Sequence, residues 1–169
     1  MQTNENMTIL ERANTAFMTE QSETTNTAVS FLNDLISLNR DIIKVYETAV
    51  ERLEKENNVR LLNNYAQQHE RFVAELSNLV VRFGGEPSSS GSGSGLAKQA
   101  WVTLKAAVTD GDGSVLVEIV PDSEKVLMAY SATMAQDIPE EARELLRRHL
   151  TDARLAHKKL SAMSVAYSN

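Results

Sequence analysis

Residues 27–56 read TAVSFLNDLISLNRDIIKVYETAVERLEKE, and their apolar residues recur with helical periodicity. Ala28, Leu32, Leu35, Ile42, Tyr46, Ala49 and Leu53 share one row, and Val29, Ile36, Ile43 and Val50 form a second row beside it. At 3.6 residues per turn the two rows make one broad apolar face, which predicts a helix A over about residues 28–56. The opposite stripe, Asn33, Ser37, Arg40, Lys44, Glu47, Glu51 and Glu54, reads as a solvated face. A helix with so wide an apolar face needs partners to bury it.

Those partners follow along the chain. Asn57 and Asn58 supply the expected turn. Beyond it Leu62, Tyr65, Ala66, His69, Phe72, Val73, Leu76, Leu79, Val80 and Phe83 define helix B, ended by Gly84-Gly85-Glu86-Pro87. Residues 88–95, SSSGSGSG, have the composition of a flexible linker. They read as a loop within one domain, because neither half of the chain can cover its apolar faces alone. A short crossover helix is expected from Leu96 to Val108, carrying Trp101 and Leu104, followed by a turn at Asp110-Gly111-Asp112-Gly113-Ser114. Helix C, about 114–135, places Leu116, Val120, Ser123, Leu127, Tyr130 and Met134 inward, with Pro121 starting or kinking its second part. Helix D begins near Pro139 and turns Ala142, Leu146, His149, Ala153, Ala156, Leu160 and Met163 inward.

Two tight hairpins joined by a long connection give an all-α chain, a ferritin-like four-helix bundle with a long B–C crossover containing a short helix. The bundle is expected over residues 28–165, with an N-terminal extension at 1–27 and a tail at 166–169. In the extension Leu10, Ala13, Phe17 and Met18 recur at helical spacing, but the polar residues around them predict a short, marginal helix over 7–20 or disorder.

Composition removes several classes of function. With no cysteine there is no disulfide framework, thiol nucleophile or iron–sulfur site. A net charge of −6 with Lys and Arg scattered among acids leaves no basic footprint for nucleic acid. No apolar run approaches the ~18 residues that would span a bilayer, and the first residues lack a secretory pattern, so a cytoplasmic protein with no membrane partner is expected. Asp110-x-Asp112-Gly113 resembles the start of a calcium loop, but Pro121 stands where the loop needs its last glutamate, so a turn and helix cap is the better reading.

Four longer stretches carry a more specific likeness: LNDLISLNRDIIKVYETA (32–49), FVAELSNLVVRFGGEP (72–87), AWVTLKAAVTDGD (100–112) and AYSATMAQDIPEEARELLRRHLTDARLAHKKL (129–160). Together, over about residues 29–160, they resemble an uncharacterised bacterial family of ferritin-like four-helix bundles. The resemblance implies a stress-associated cellular context and a fold, without a reaction.

A ferritin-like di-metal centre draws one glutamate from each of two helices and a Glu-x-x-His pair from each of the others. His69 and His149 lie about twelve residues from their hairpin turns, near mid-bundle on the apolar stripes of helices B and D. Three residues before them stand Ala66 and Leu146 in place of glutamates, and Ser123 stands where the resembling family commonly has one. Glu47 and Glu70 fall on polar stripes that face water. The histidines therefore read as core polar residues satisfied by neighbours such as Tyr46. The alternative is one transition-metal ion held by His69 and His149 with Glu124 or Asp152 swinging in. His157 reads as an interface or surface residue. The leading expectation is a non-catalytic or weakly metal-associated, homo-oligomeric bundle, a dimer, with no resident cofactor, acting by binding in a stress response. Two alternatives stand beside it: a di-iron or di-manganese oxidoreductase resembling rubrerythrin or ferritin, and a structural module docking a protein partner through residues 1–27.

Overall fold

Ala28, Leu32, Leu35, Ile42, Tyr46 and Ala49, the row that predicts helix A, are all buried in a computed structural model of the chain. The structure describes residues 2–92 and 111–168, and among them it is all α-helical, with no strand. Helix α1 spans Gln2–Val50, α2 Glu56–Arg82, α3 Asp112–Met134 and α4 Glu140–Ser168. The four pack around one core. Helices α1 and α2 pair most extensively, then α3 with α4, and α1 also packs on α3. No helix among the described residues is long and apolar enough to cross a membrane. The expected crossover helix at Leu96–Val108, with Trp101, lies outside the described residues.

Three features differ from the sequence reading. Helix α1 is continuous from Gln2 to Val50, so residues 2–27 and the first core helix are one element, with no break near Thr27. Polar composition weakens a lone helix, but here the packed half supplies the nucleus from which the rest extends. From Thr8 to Glu23 this helix is exposed throughout, including Ile9, Leu10, Phe17 and Met18. Its exit from the core is marked by a groove of 390 Å³, where Phe17 and Thr24 meet Phe83 and Pro139.

The second difference is the α1–α2 turn, which falls at residues 51–55 instead of Asn57–Asn58. Arg52 and Leu53 close it by donating backbone N–H groups to Ala49 and Val50 carbonyls at 3.0 and 3.2 Å. Asp112, at the start of α3, then accepts the backbone N–H groups of Glu54 at 2.8 Å and Lys55 at 3.2 Å. The cap of α2 thus comes from a carboxylate far away in sequence. Asn58, expected in the turn, is buried in the first turn of α2 and donates to Asp112 and to the Tyr167 hydroxyl of α4. Burial pushes the Asp112 carboxyl up, but the hydrogen bonds from Glu54, Asn58 and Lys55 outweigh it and hold the group below its usual range.

The third difference concerns the polar stripe of α1. Lys44, Glu47, Glu51 and Glu54 are exposed, as expected of a solvated face. Asn33 and Ser37 instead carry the serine-rich loop: Asn33 Nδ2 donates to Glu86 O at 2.9 Å, its Oδ1 accepts Ser88 N–H at 2.7 Å, and the Ser37 and Ser88 hydroxyls are 2.8 Å apart. Asp41, buried on the same side, accepts from both the backbone and the hydroxyl of Ser92. Residues 86–92 are therefore fastened along α1 by side chains whose polarity alone suggested water.

The end of α2 follows the expected chemistry. Gly84 takes φ +78°, and the Gly84 and Gly85 N–H groups reach back to Val81 and Val80 carbonyls, both at 2.9 Å. This is a Schellman closure, in which only glycine takes the left-handed position without strain. Helix α3 runs through Pro121, whose exposed ring faces away from the core, so the proline marks no boundary. The buried face of α3 is Val115, Leu116, Ile119, Ser123, Val126 and Tyr130, and Val120, Leu127 and Met134 flank it half-buried.

Candidate functional site

Helix periodicity alone carries His69 and His149 into the core: each sits on the apolar row of its helix, and they are 3% and 2% exposed. Two uncompensated imidazoles would be costly there. Each is instead a member of one hydrogen-bonded chain that crosses the core.

The chain starts at Asn39 on α1, which is fully buried. Its Nδ2 donates to Leu35 O at 2.6 Å and to the Tyr130 hydroxyl at 2.9 Å, and its Oδ1 accepts from His69 Nδ1 at 2.6 Å. An amide oxygen can only accept, so His69 carries its proton on Nδ1. The Tyr130 oxygen accepts from Asn39, which leaves its own proton for His149 Nδ1, 3.3 Å away. His149 is then protonated on Nε2, which donates to Glu75 Oε2 at 3.2 Å. Every donor in the sequence has an acceptor, and both imidazoles are neutral. Four helices contribute: Asn39 from α1, His69 and Glu75 from α2, Tyr130 from α3 and His149 from α4.

Aromatic rings enclose this chain. Phe72 stacks on His149 with centroids 4.0 Å apart and meets His69 edge-on at 5.4 Å. Tyr130 lies 6.2 Å from Phe72 and 5.9 Å from His149, and Tyr46 lies 5.7 Å from His69. Burial, with His149 nearby, drives the His69 pKa from 6.5 down to about 3. Burial also lowers His149, against the pull of Glu75 in the opposite direction. Desolvation raises the Tyr130 and Tyr46 phenols well above their usual value. All four shifts favour the uncharged form.

The residues singled out from sequence separate into two groups. His69 and His149 join through Asn39 and Tyr130, whereas the expected neighbour Tyr46 makes only a ring contact with His69. Glu124 and Asp152 are exposed on α3 and α4. Among the described residues no three His, Asp or Glu side chains gather closely enough to hold a metal ion. The donors meeting the imidazoles are an amide, a phenol and one carboxylate, which does not match the carboxylate-rich set of a di-metal centre. His157 belongs to a separate half-buried pair: its Nδ1 is 2.8 Å from the Ser123 hydroxyl, which fills the α3 position where the resemblance implied glutamate.

Sequence reasoning missed Asn39, Tyr130's role and Glu75. For Asn39 the signal was present, because it continues the row Leu32, Leu35, Ile42 at spacings of four and three. Glu75 gave no such signal: its side chain is half-exposed, and only the register of α2 against α4 brings it to His149.

A family model described as Domain of unknown function (DUF2383) matches residues 27–136. The matched span holds Asn39, His69, Glu75 and Tyr130, and His149 lies beyond it. No curated protein matches the chain.

Proposed function

The chain belongs to the family described as Domain of unknown function (DUF2383), and from that premise we propose that it is a ferritin-like bundle acting by binding in a bacterial stress response, without turning over a substrate. One observation carries the reading. At the depth where a ferritin-like bundle holds its metal-binding histidines, His69 and His149 are neutral and already bonded to Asn39, Tyr130 and Glu75. Such a centre stabilises the four helices against one another and leaves no carboxylate cage for a pair of hard cations. The pairing of α1 with α2 and of α3 with α4, with residues 83–111 between the pairs, supports the ferritin-like connectivity.

A cytoplasmic homodimer is part of the same reading, and weak association of one transition-metal ion at His69 and His149 would require the imidazoles to give up these bonds and Glu124 or Asp152 to swing in from the surface. Elemental analysis of the purified protein, with iron and manganese titrations, tests it. Fewer than one firmly held ion per chain is expected. Two stoichiometric ions per chain would overturn the reading in favour of a di-metal oxidoreductase.

A second reading has its own support: Ile9, Leu10, Phe17 and Met18 are exposed on the free half of α1, an apolar set suited to docking a protein partner. Deleting residues 1–27 should then leave the core folded and abolish association. Unchanged association in the truncated protein would dismiss it.

A further inference from the structure

Tyr130 is fully enclosed, its oxygen accepts from Asn39 Nδ2 at 2.9 Å, and its proton lies toward His149 Nδ1 at 3.3 Å. His149 donates in turn to Glu75, whose side chain is 50% exposed. A buried phenol thus has a path of two hydrogen bonds to a carboxylate at the surface. We propose that Tyr130 is a one-electron redox group, giving its phenolic proton to His149 as a small radical oxidant takes its electron.

The geometry favours this coupling over either transfer alone. Loss of the electron with the proton still in place would leave a cation in an apolar core, and loss of the proton alone would leave a phenolate there. Moving both keeps the core uncharged. The oxidant, an oxygen- or nitrogen-centred radical, gains one electron and becomes its anion. The Tyr130 O–H bond breaks, an N–H bond forms at His149 Nδ1, and the Nε2 proton of His149 passes to Glu75 and from there to water. His149 ends neutral as the other tautomer, and Tyr130 is a neutral phenoxyl. A thiol or ascorbate-like reductant returns the electron, and a proton comes back along the same path. Enclosure by Phe72 and His149 keeps this phenoxyl from coupling with phenoxyls on other molecules.

The test uses the full chain exposed to azidyl radicals generated in solution, with the phenoxyl followed by optical absorption and freeze-quench electron paramagnetic resonance. A long-lived phenoxyl is expected, forming more slowly in D₂O, over a short-lived background from the exposed Tyr167 and half-buried Tyr65. Tyr130→Phe should abolish the long-lived signal, and His149→Phe should abolish it with Tyr130 still present. Because either core variant could fail to fold, circular dichroism accompanies them and Glu75→Gln serves as a variant at the half-exposed end of the path. It should keep the fold and lower the yield of the long-lived phenoxyl. A long-lived signal absent from the native protein, persisting in folded Tyr130→Phe, or unaltered in Glu75→Gln would overturn the proposal.

Discussion

At Asn39 a single side-chain amide meets three groups at once: the Leu35 carbonyl, the Tyr130 hydroxyl and His69 Nδ1. Removing it leaves His69 Nδ1–H without an acceptor and takes a donor from the Tyr130 oxygen, polar atoms of two helices in a dry core, at about 1–3 kcal/mol for each unsatisfied group. Asn39→Ala should therefore lower stability by about 3 kcal/mol or more, read as a reduced urea midpoint with an unchanged slope. The two histidines set a pH dependence whose sign is fixed by their depressed pKa values. Below the unfolded value of about 6.5 the unfolded chain binds protons that the folded one refuses. Stability from these sites is present above that pH and declines as the pH falls, by up to ~1.4 kcal/mol per unit for each imidazole. For His69 the decline continues to about pH 3. Urea midpoints from pH 7 down to about pH 4.5 should fall less steeply in His69→Gln than in the native chain, and equal slopes would refute the assignment. Burial of both histidines was legible in the sequence because it follows from helix phase alone. Their partners were not, because an Asn, a Tyr and a Glu from three helices are brought together only by the register between helices.

Among the elements, the start of α2 depends on α3. Asp112 holds the Glu54 and Lys55 N–H groups and the Asn58 amide, while Lys55 Nζ lies 4.5 Å from the centre of the Tyr167 ring. Asp112→Ala should cost about 2 kcal/mol, as for loss of a helix cap with added unpaired donors, measurable by thermal or urea unfolding. Gly113 leaves no room for a side chain here, since a Cβ would come within 2.7 Å of Tyr167 Cβ. On the outer faces the expectation reverses. Glu47 and Glu70 are exposed, and replacing both by Gln should change stability by less than about 1 kcal/mol. A larger loss would mean that their helices are differently phased. The helices themselves were readable from apolar spacing to within a few residues at most ends. What misled was local chemistry used in a distant contact: Asn58 looked like a turn residue and is a buried clasp, and Asn33 and Ser37 looked solvated and bind a loop.

For the whole molecule the dominant fact is the inequality of its helices. Helix α1 has 49 residues and α2 has 27, or about 74 Å against about 40 Å of length. Limited proteolysis should cut first between Thr8 and Glu23, where α1 is exposed, and leave residues from about Ser30 onward folded. Protection of that whole stretch in a dilute monomer would contradict this picture. Along the free half, Thr15, Thr19 and Thr25 each donate a hydroxyl to the carbonyl four residues back, at 2.8 Å. Such bonds satisfy the side chains without tying the helix to anything else. Residues 8–16, ahead of the groove that Phe17 lines, therefore gain little from the cooperativity of the core, and warming should unravel them turn by turn from the outer end inward. The far-ultraviolet ellipticity would drift gradually while the buried rings still report an intact interior, with the sharp collapse coming only later. A single melting temperature would describe one half of α1 and miss the other.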